Sequence, residues 1–494
     1  MWVRAWAWAS SVSGCRWLGA AGSLGVAVGG LAAGTLPVRE PWGLWVARGS
    51  GLTVAAAILA YLGLTLLVAA WWRYGVLLAR GVEDVVRDRV GVTLAFWVAP
   101  LVLAPPLYSA DVYSYIAQGA MVLEGHDVYG AGPSVLGPDD LGADAADSVG
   151  GHWTDTPAPY GPVFLVLAQA VVKLTGGEIV PAVLGMRLIA LGAVLLIVWA
   201  VRGLGGGSGA LWLGVLNPLV LIHVVGGLHN DGLMVGLMLG GVLLAVRGRW
   251  VLGSVLVGLA MMIKSPAAVA LLFMGVVVAR RRGAPWVVGP GLVATAVAAG
   301  ATVVAGTGFG WVRTQGVAAA IHTALSVTSD VGLGLGLLVT GEAEPVKGVV
   351  QKLGLLAAVV IIAVLAWRAW KGRIEPVLGL GLSLVVLVAL SPMVQPWYLL
   401  WGTVVVAAAG AWRTRVGQVL VVLSAALVYE TQPSGHTPAY GFVLAGVVVV
   451  LGSWWMRRVP WGGAGGGGGA SSGGGAGSES GAAGAVPGAM SGTA

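Results

Sequence analysis

The chain has 494 residues, 57% of them hydrophobic and only 10% charged, with a net charge of +7 and a mean hydropathy of +0.90. A soluble chain carries about a quarter charged residues, so this composition excludes an ordinary water-soluble enzyme and defines an all-α polytopic membrane protein. In such a protein the surplus Lys and Arg set orientation rather than bind nucleic acid, and the single cysteine, Cys15, excludes an internal disulfide and a cysteine-held metal cluster.

Apolar runs long enough to cross a bilayer predict spans at residues 17–36, 52–72 and 91–107. No A-x-A cleavage site stands out near the N-terminus, so no cleaved signal peptide is expected. A long polar interval follows, within residues 108–179, and it differs from the other connections. Residues 109–161 carry Asp111, Glu124, Asp127, Asp139, Asp140, Asp144, Asp147 and Asp155 without one Lys or Arg.

Within that loop the spacing predicts an amphipathic surface helix from Asp111 to Leu123, stopped by Gly125, with Asp111, Tyr115 and Gln118 on one face. Asp111 fits either a helix cap or a catalytic base placed where the third span ends. Asp139, Asp140, Asp144 and Asp147 lie in a Gly/Ala-rich stretch and read as solvated surface, and calcium-loop spacing is absent. The run from Trp153 to Pro162 places Asp155 between Trp153 and Tyr160 on a proline-fixed backbone. That composition suits holding a sugar face, and it equally suits a rigid turn back into the membrane.

Further spans are predicted at residues 180–201, 210–225, 232–246, 250–263, 266–278 and 286–304. A more polar interval is followed by spans at 349–367, 376–390, 396–411, 416–428 and 441–455, about 13 to 14 in all. The tail, residues 461–494, is almost entirely Gly, Ala and Ser and reads as a disordered cytoplasmic extension.

Counting basic residues in short loops places Arg4, Arg16, Arg73, Arg202, Arg247, Arg280 to Arg282, Lys371, Arg413 and Arg457 in the cytoplasm. The scheme requires that residues 161–175 do not span and form an interfacial or re-entrant helix. The acidic loop then faces outward, as do the clusters holding His223, His229, Asn230 and Asp231, then Lys264, then Arg313 and His322, and finally Gln395, Trp397 and Tyr398. The two histidines lack helical metal-site spacing, so hydrogen bonding to hydroxyls or phosphate is the better reading. Lys264 interrupts an apolar stretch just before Ser265-Pro266. A lysine there is costly unless it is paired or faces a polar cavity, and a phosphate would suit it.

The stretches DVYSYIAQGAMVLEGHDVYGAGP, WTDTPAPYGPVF, NPLVLIHVVGGLHNDGLMVGL, MMIKSP and SPMVQPWYLLW resemble the actinobacterial polyprenol-phosphomannose-dependent α-(1→6)-mannosyltransferases, integral-membrane glycosyltransferases of the GT-C class. The resemblance covers roughly Asp111 to Trp401. It implies that residues 1–460 form a transmembrane glycosyltransferase domain with interfacial helices in its first large extracytoplasmic loop. It further implies inverting transfer of mannose from a polyprenyl-phosphate mannose donor to an α-(1→6)-mannan lipoglycan acceptor, as in lipomannan and lipoarabinomannan synthesis. Asp111 takes the family's place for the catalytic base. No cofactor is expected, although Asp111 with Asp127 leaves Mg²⁺ or Mn²⁺ open. The rival reading is a polytopic transporter or lipid-linked sugar flippase, which would also have many spans and a helix broken at Lys264.

Overall fold

The computed structural model describes residues 11–40, 42–86, 89–317, 321–339 and 341–459, so the expected disordered tail lies outside the described residues. Among these the fold is entirely helical. Every apolar run predicted to span is helical, but the spans are not fourteen uniform rods. Five helices are long and apolar enough to cross a membrane: Thr53–Ala79, Ile179–Gly203, Ala284–Ala305, Ala343–Trp370 and Ala439–Met456. Val220–Gly226 and Asp231–Val246, bent by 108°, are long and apolar enough together to make one broken span or a re-entrant loop.

Shorter apolar helices account for several of the remaining predicted runs, among them Trp250–Met261, Pro376–Ala389 and Arg415–Leu427. A helix of 14 residues such as Pro376–Ala389 is about 21 Å long, short of a hydrocarbon core of about 30 Å. Prolines divide several of these runs, with Pro266 and Pro396 opening 3₁₀ turns that lead into the next helix. One helix, Val327–Val339, lies in the interval read from sequence as polar. The Ala343–Trp370 helix turns Val349, Leu353, Leu356, Val359 and Val360 outward. Such a surface is compatible with lipid rather than water.

Inside, helices approach through small residues and are fastened by paired aromatics. Gly22 and Gly29 of Val12–Ala33 pack directly on the backbone of Thr53–Ala79 at Gly63, Leu67 and Ala60. Trp71 and Trp212 stack with centroids 5.0 Å apart. Each indole N–H donates to the other's backbone carbonyl, at 3.0 and 2.8 Å, so both polar tips are satisfied without water.

The acidic loop folds as predicted from Asp111 to Leu123, but not on the surface: Val112 to Met121 are all buried. Its partner is the Pro162–Thr175 helix. The start of that helix is docked on the turn before Lys264. Phe164 N–H donates to the Met262 carbonyl at 3.3 Å, and Gly161 N–H to the Ile263 carbonyl at 3.4 Å. A Cβ on Gly161 would stand 2.5 Å from the Met262 oxygen. Backbone cannot yield there, so Gly161→Ala should destabilise by roughly 1–3 kcal/mol. The same change should lower transfer by moving Tyr160 away from Lys264. An unchanged melting temperature together with unchanged activity would show that this docking is loose.

Candidate active site

Five separated segments converge on one place, and each is shaped by a local rule. Tyr108, three residues before Asp111, has φ of 62°, and Leu228, just before His229, has φ of 60°. Left-handed backbone is costly for both residue types and persists where surrounding contacts impose it. One of the contacts here links the two segments, and another closes the second segment on itself. Leu107 N–H donates to the Gly226 carbonyl at 3.1 Å, and His229 N–H to the His223 carbonyl at 3.1 Å. A Cβ on Gly227 would meet the Leu107 oxygen at 2.9 Å, so the close approach needs glycine.

A buried arginine supports this arrangement. Arg187, from the Ile179–Gly203 helix, donates to the carbonyls of Leu101 and Val102 at 2.9 Å and to that of Ala104. It also reaches Pro105 and Gly226 at 3.4 Å. One fork of donors therefore satisfies the irregular backbone leading into Asp111 and ties it to the broken helix. The sequence reading passed over Arg187. Its signal was the one that marked Lys264, an ionisable residue inside an apolar run.

Asp111 does not cap its own helix. Its backbone N–H is taken by Ser109 Oγ at 3.1 Å, while its carboxylate turns toward the cavity. Tyr115 donates to Asp111 Oδ2 at 3.4 Å. His229 Nδ1 stands 3.2 Å from the same oxygen but is not aligned as a directed hydrogen bond. The Asp111 side chain keeps 24% of its surface exposed. Burial pushes its carboxyl up, but the adjoining His229 and the positive Lys264 outweigh this and hold it below the usual carboxylate range. It is therefore ionised at neutral pH.

His229 lies flat on Trp397, centroids 3.6 Å apart, with His223 packed behind at 5.2 Å from the same indole. The ring nitrogens of His223, both amide atoms of Asn230 and Trp397 Nε1 find no hydrogen-bond partner among the described residues. Hydrogen-bonding capacity is thus concentrated beside Asp111. Opposite, Lys264 Nζ donates to Asp231 Oδ2 at 2.7 Å, and Trp401 Nε1 donates to Asp231 Oδ1 at 2.7 Å. The lysine also faces the rings of Tyr398 at 4.9 Å and Tyr160 at 5.8 Å. Tyr160 is itself wedged against Tyr115 and Phe164, each at 5.3 Å. The 391–395 loop is held by hydroxyls from Thr323 to Ser329, including Ser329 Oγ to the Pro392 carbonyl at 2.7 Å.

Two cavities meet at this cluster. The first, about 410 Å³, is lined by Lys264, Tyr160 and Tyr398 and by the apolar side chains Val269, Leu355 and Leu387. The second, about 550 Å³, is lined by hydroxyls and imidazoles including Ser148, His152, Thr431 and His436. Asp111, Trp153, Gln395 and Trp397 belong to both walls.

Several candidates lie elsewhere. Asp127 closes its own turn, accepting from Tyr129 N–H at 3.0 Å, and Asp155 accepts from Ser134 Oγ at 2.6 Å. Gln118 is buried within its helix, and Arg313 is exposed on a short one; neither lines either cavity. Gln315, two residues beyond Arg313, does line the first cavity. Asp144 and Asp147 are not simply solvated, because Arg39 clasps both at 2.7 Å. Among the described residues no three His, Cys, Asp or Glu side chains gather as a metal site, and Asp111 lines both cavities whereas Asp127 lines neither.

The family model described as the α-(1→6)-mannopyranosyltransferase N-terminal domain matches residues 16–280, and the MptB C-terminal domain matches residues 322–458. The chain is similar to a probable α-(1→6)-mannopyranosyltransferase of Mycolicibacterium smegmatis, 34% identical over 503 residues, covering 90% of this chain and 89% of that protein. An α-(1→6)-mannopyranosyltransferase of Mycobacterium tuberculosis is 33% identical over 528 residues, 90% and 88% of the two chains. The α-(1→6)-mannopyranosyltransferase B of Corynebacterium glutamicum is 31% identical over 519 residues, 93% and 83%.

Proposed function

Since the chain belongs to the α-(1→6)-mannopyranosyltransferase family, we propose that it transfers mannose from a polyprenyl-phosphate mannose to the 6-hydroxyl of an α-(1→6)-mannan lipoglycan at the outer face of the cell membrane. The observation that carries this reading is the position of Asp111 in the wall shared by two chemically different cavities. The first joins a lysine to an apolar lining, as a phosphate on a lipid chain requires. The second offers hydroxyl and imidazole groups, as a sugar acceptor requires. The outward-facing site rests on the distribution of Lys and Arg among the short loops.

In the proposed reaction the donor phosphate lies against Lys264, with Tyr160 and Tyr398 framing it. The acceptor enters from the polar side past Trp153 and Gln395. Asp111 takes the proton of the 6-hydroxyl as that oxygen attacks C1 from the face opposite the phosphate. The O6–C1 bond forms, the bond from C1 to the phosphate oxygen breaks, and polyprenyl phosphate leaves with its added charge held by Lys264. A β-linked donor gives an α-linked product.

The deciding assay uses membranes containing the protein, polyprenyl-phosphate radiolabelled mannose and a short α-(1→6)-mannan. Label should appear in a lengthened mannan. Movement of the intact lipid across the membrane without sugar transfer would favour the flippase reading and overturn this one. The pH profile is a second test. With Asp111 held below the ordinary carboxylate value of about 3.9, the acid limb of kcat/KM should lie below that value, because activity is lost only when the carboxylate gains a proton. Replacing His229 by Gln removes one of the influences that lower it while burial remains. The limb should therefore move upward, and a limb that does not move would remove His229 from this role.

A further inference from the structure

Four residues belong to the walls of both cavities: Asp111, Trp153, Gln395 and Trp397. Asp111 is already engaged, by Tyr115 and by the nearby His229. Trp153 and Trp397 offer flat rings, and the indole Nε1 of Trp397 is sealed from solvent. Gln395 alone of the four carries both hydrogen-bond donors and an acceptor. It is half-buried, and its side-chain amide has no hydrogen-bond partner among the described residues.

The backbone around that amide is, by contrast, firmly held. Thr328 Oγ1 donates to the Ser391 carbonyl at 3.1 Å, and Ser329 Oγ to the Pro392 carbonyl at 2.7 Å. Val394 N–H donates to Thr323 Oγ1 at 2.9 Å. Gln351 Nε2 donates to Ser329 Oγ at 2.9 Å, which ties the loop to the long Ala343–Trp370 helix. Gln395 itself is extended, with φ of −116° and ψ of 153°, just before Pro396 opens the next turn. Its carbonyl accepts from Tyr398 N–H at 3.0 Å. A fixed backbone presenting one free amide is a group held ready for a ligand, with little ordering left to do on binding.

The position of the amide decides what it meets. In the proposed reaction, on which this inference rests, the donor phosphate lies in the first cavity and the mannan in the second. The sugar in transit is the part of either substrate that must touch both spaces. A group serving the lipid tail would line the first cavity alone, and one serving the inner sugars of the mannan the second alone. We propose that Gln395 is a specificity-determining residue, hydrogen-bonding through its amide to a hydroxyl of the sugar being transferred. A donor sugar lacking that hydroxyl leaves the amide unpaired in a site closed by both substrates.

The test compares polyprenyl-phosphate mannose with its 2-, 3-, 4- and 6-deoxy analogues as donors for the purified full chain, with a short α-(1→6)-mannan as acceptor. The unaltered protein should use one deoxy donor about ten- to a hundredfold less well in kcat/KM than mannose, the effect of leaving one hydrogen-bonding group unpaired. Gln395→Met keeps the length of the side chain without the amide. It should lower mannose transfer by a similar factor and should use that deoxy donor about as well as mannose. Its KM for the mannan and its melting temperature should not change, because the loop is held by backbone and hydroxyl contacts. Equal use of all the donors by the unaltered protein overturns the proposal, as does undiminished discrimination in Gln395→Met. A loss confined to the KM for the mannan also overturns it, making Gln395 an acceptor residue. Absence of mannose transfer by the unaltered protein would overturn the functional reading itself, and this inference with it.

Discussion

Replacing Asp111 by Asn is expected to lower mannosyl transfer by roughly 10² to 10⁴-fold, the contribution of a positioned general base, while the protein continues to fold. The amide preserves the shape of the carboxyl and still accepts from Tyr115. The start of the helix is secured by Ser109 rather than by Asp111, so no cap is lost. Lys264 and its partner Asp231 are untouched, so the donor should still bind. The measurement is a pair of constants: kcat should fall and the KM for the lipid donor should change little. Transfer within tenfold of the unaltered protein would remove Asp111 from the role of base. A matching loss of donor affinity would instead make it a binding residue.

Lys264→Met should be the most damaging change to stability. Asp231 has 0% exposure and Lys264 only 13%, so removing the lysine leaves a buried carboxylate with the Trp401 N–H as its remaining partner. Breaking a buried pair from one side costs about 3–5 kcal/mol, whereas replacing both members by apolar residues is often close to neutral. Lys264→Met should therefore melt far below the unaltered protein, and Lys264→Met combined with Asp231→Leu should recover much of that loss. The double variant should remain inactive, because nothing is left to meet the charge on the departing phosphate. If the double variant recovers transfer along with stability, Lys264 serves only to neutralise Asp231.

The two residues that dominate these predictions were visible in the sequence for one reason. Each is a charge where the surrounding residues give it no neighbour of opposite sign, Asp111 at the end of an apolar run and Lys264 inside one. Such positions are costly in a membrane and persist through a partner or a task. Arg187 met the same criterion, yet its five carbonyl partners come from segments some 39 to 86 residues away. No spacing rule connects it to them. Asp127 and Asp155 stand away from both cavities. Both look like site carboxylates beside aromatics, but each accepts from a donor away from the cavities, Asp127 from Tyr129 N–H two residues on and Asp155 from Ser134 Oγ 21 residues back.

Composition and period by themselves determined the class: a helical chain that places its apolar surface in lipid, with its unusual loop between the early and later spans. They also determined the helix from Asp111 to Leu123, because its apolar spacing and the Gly125 stop are local properties. Only the tertiary structure decided that this helix is buried, and that the loop docks through Gly161 on the turn before Lys264. It alone placed Asp111 in the wall between an apolar, lysine-bearing cavity and a polar one. The physical reason is range. Hydrophobicity and helix termination act over a few neighbouring residues, whereas a site shared by residues 111, 229, 264 and 397 forms only when distant backbones pack closely enough to exclude lipid and align their polar groups.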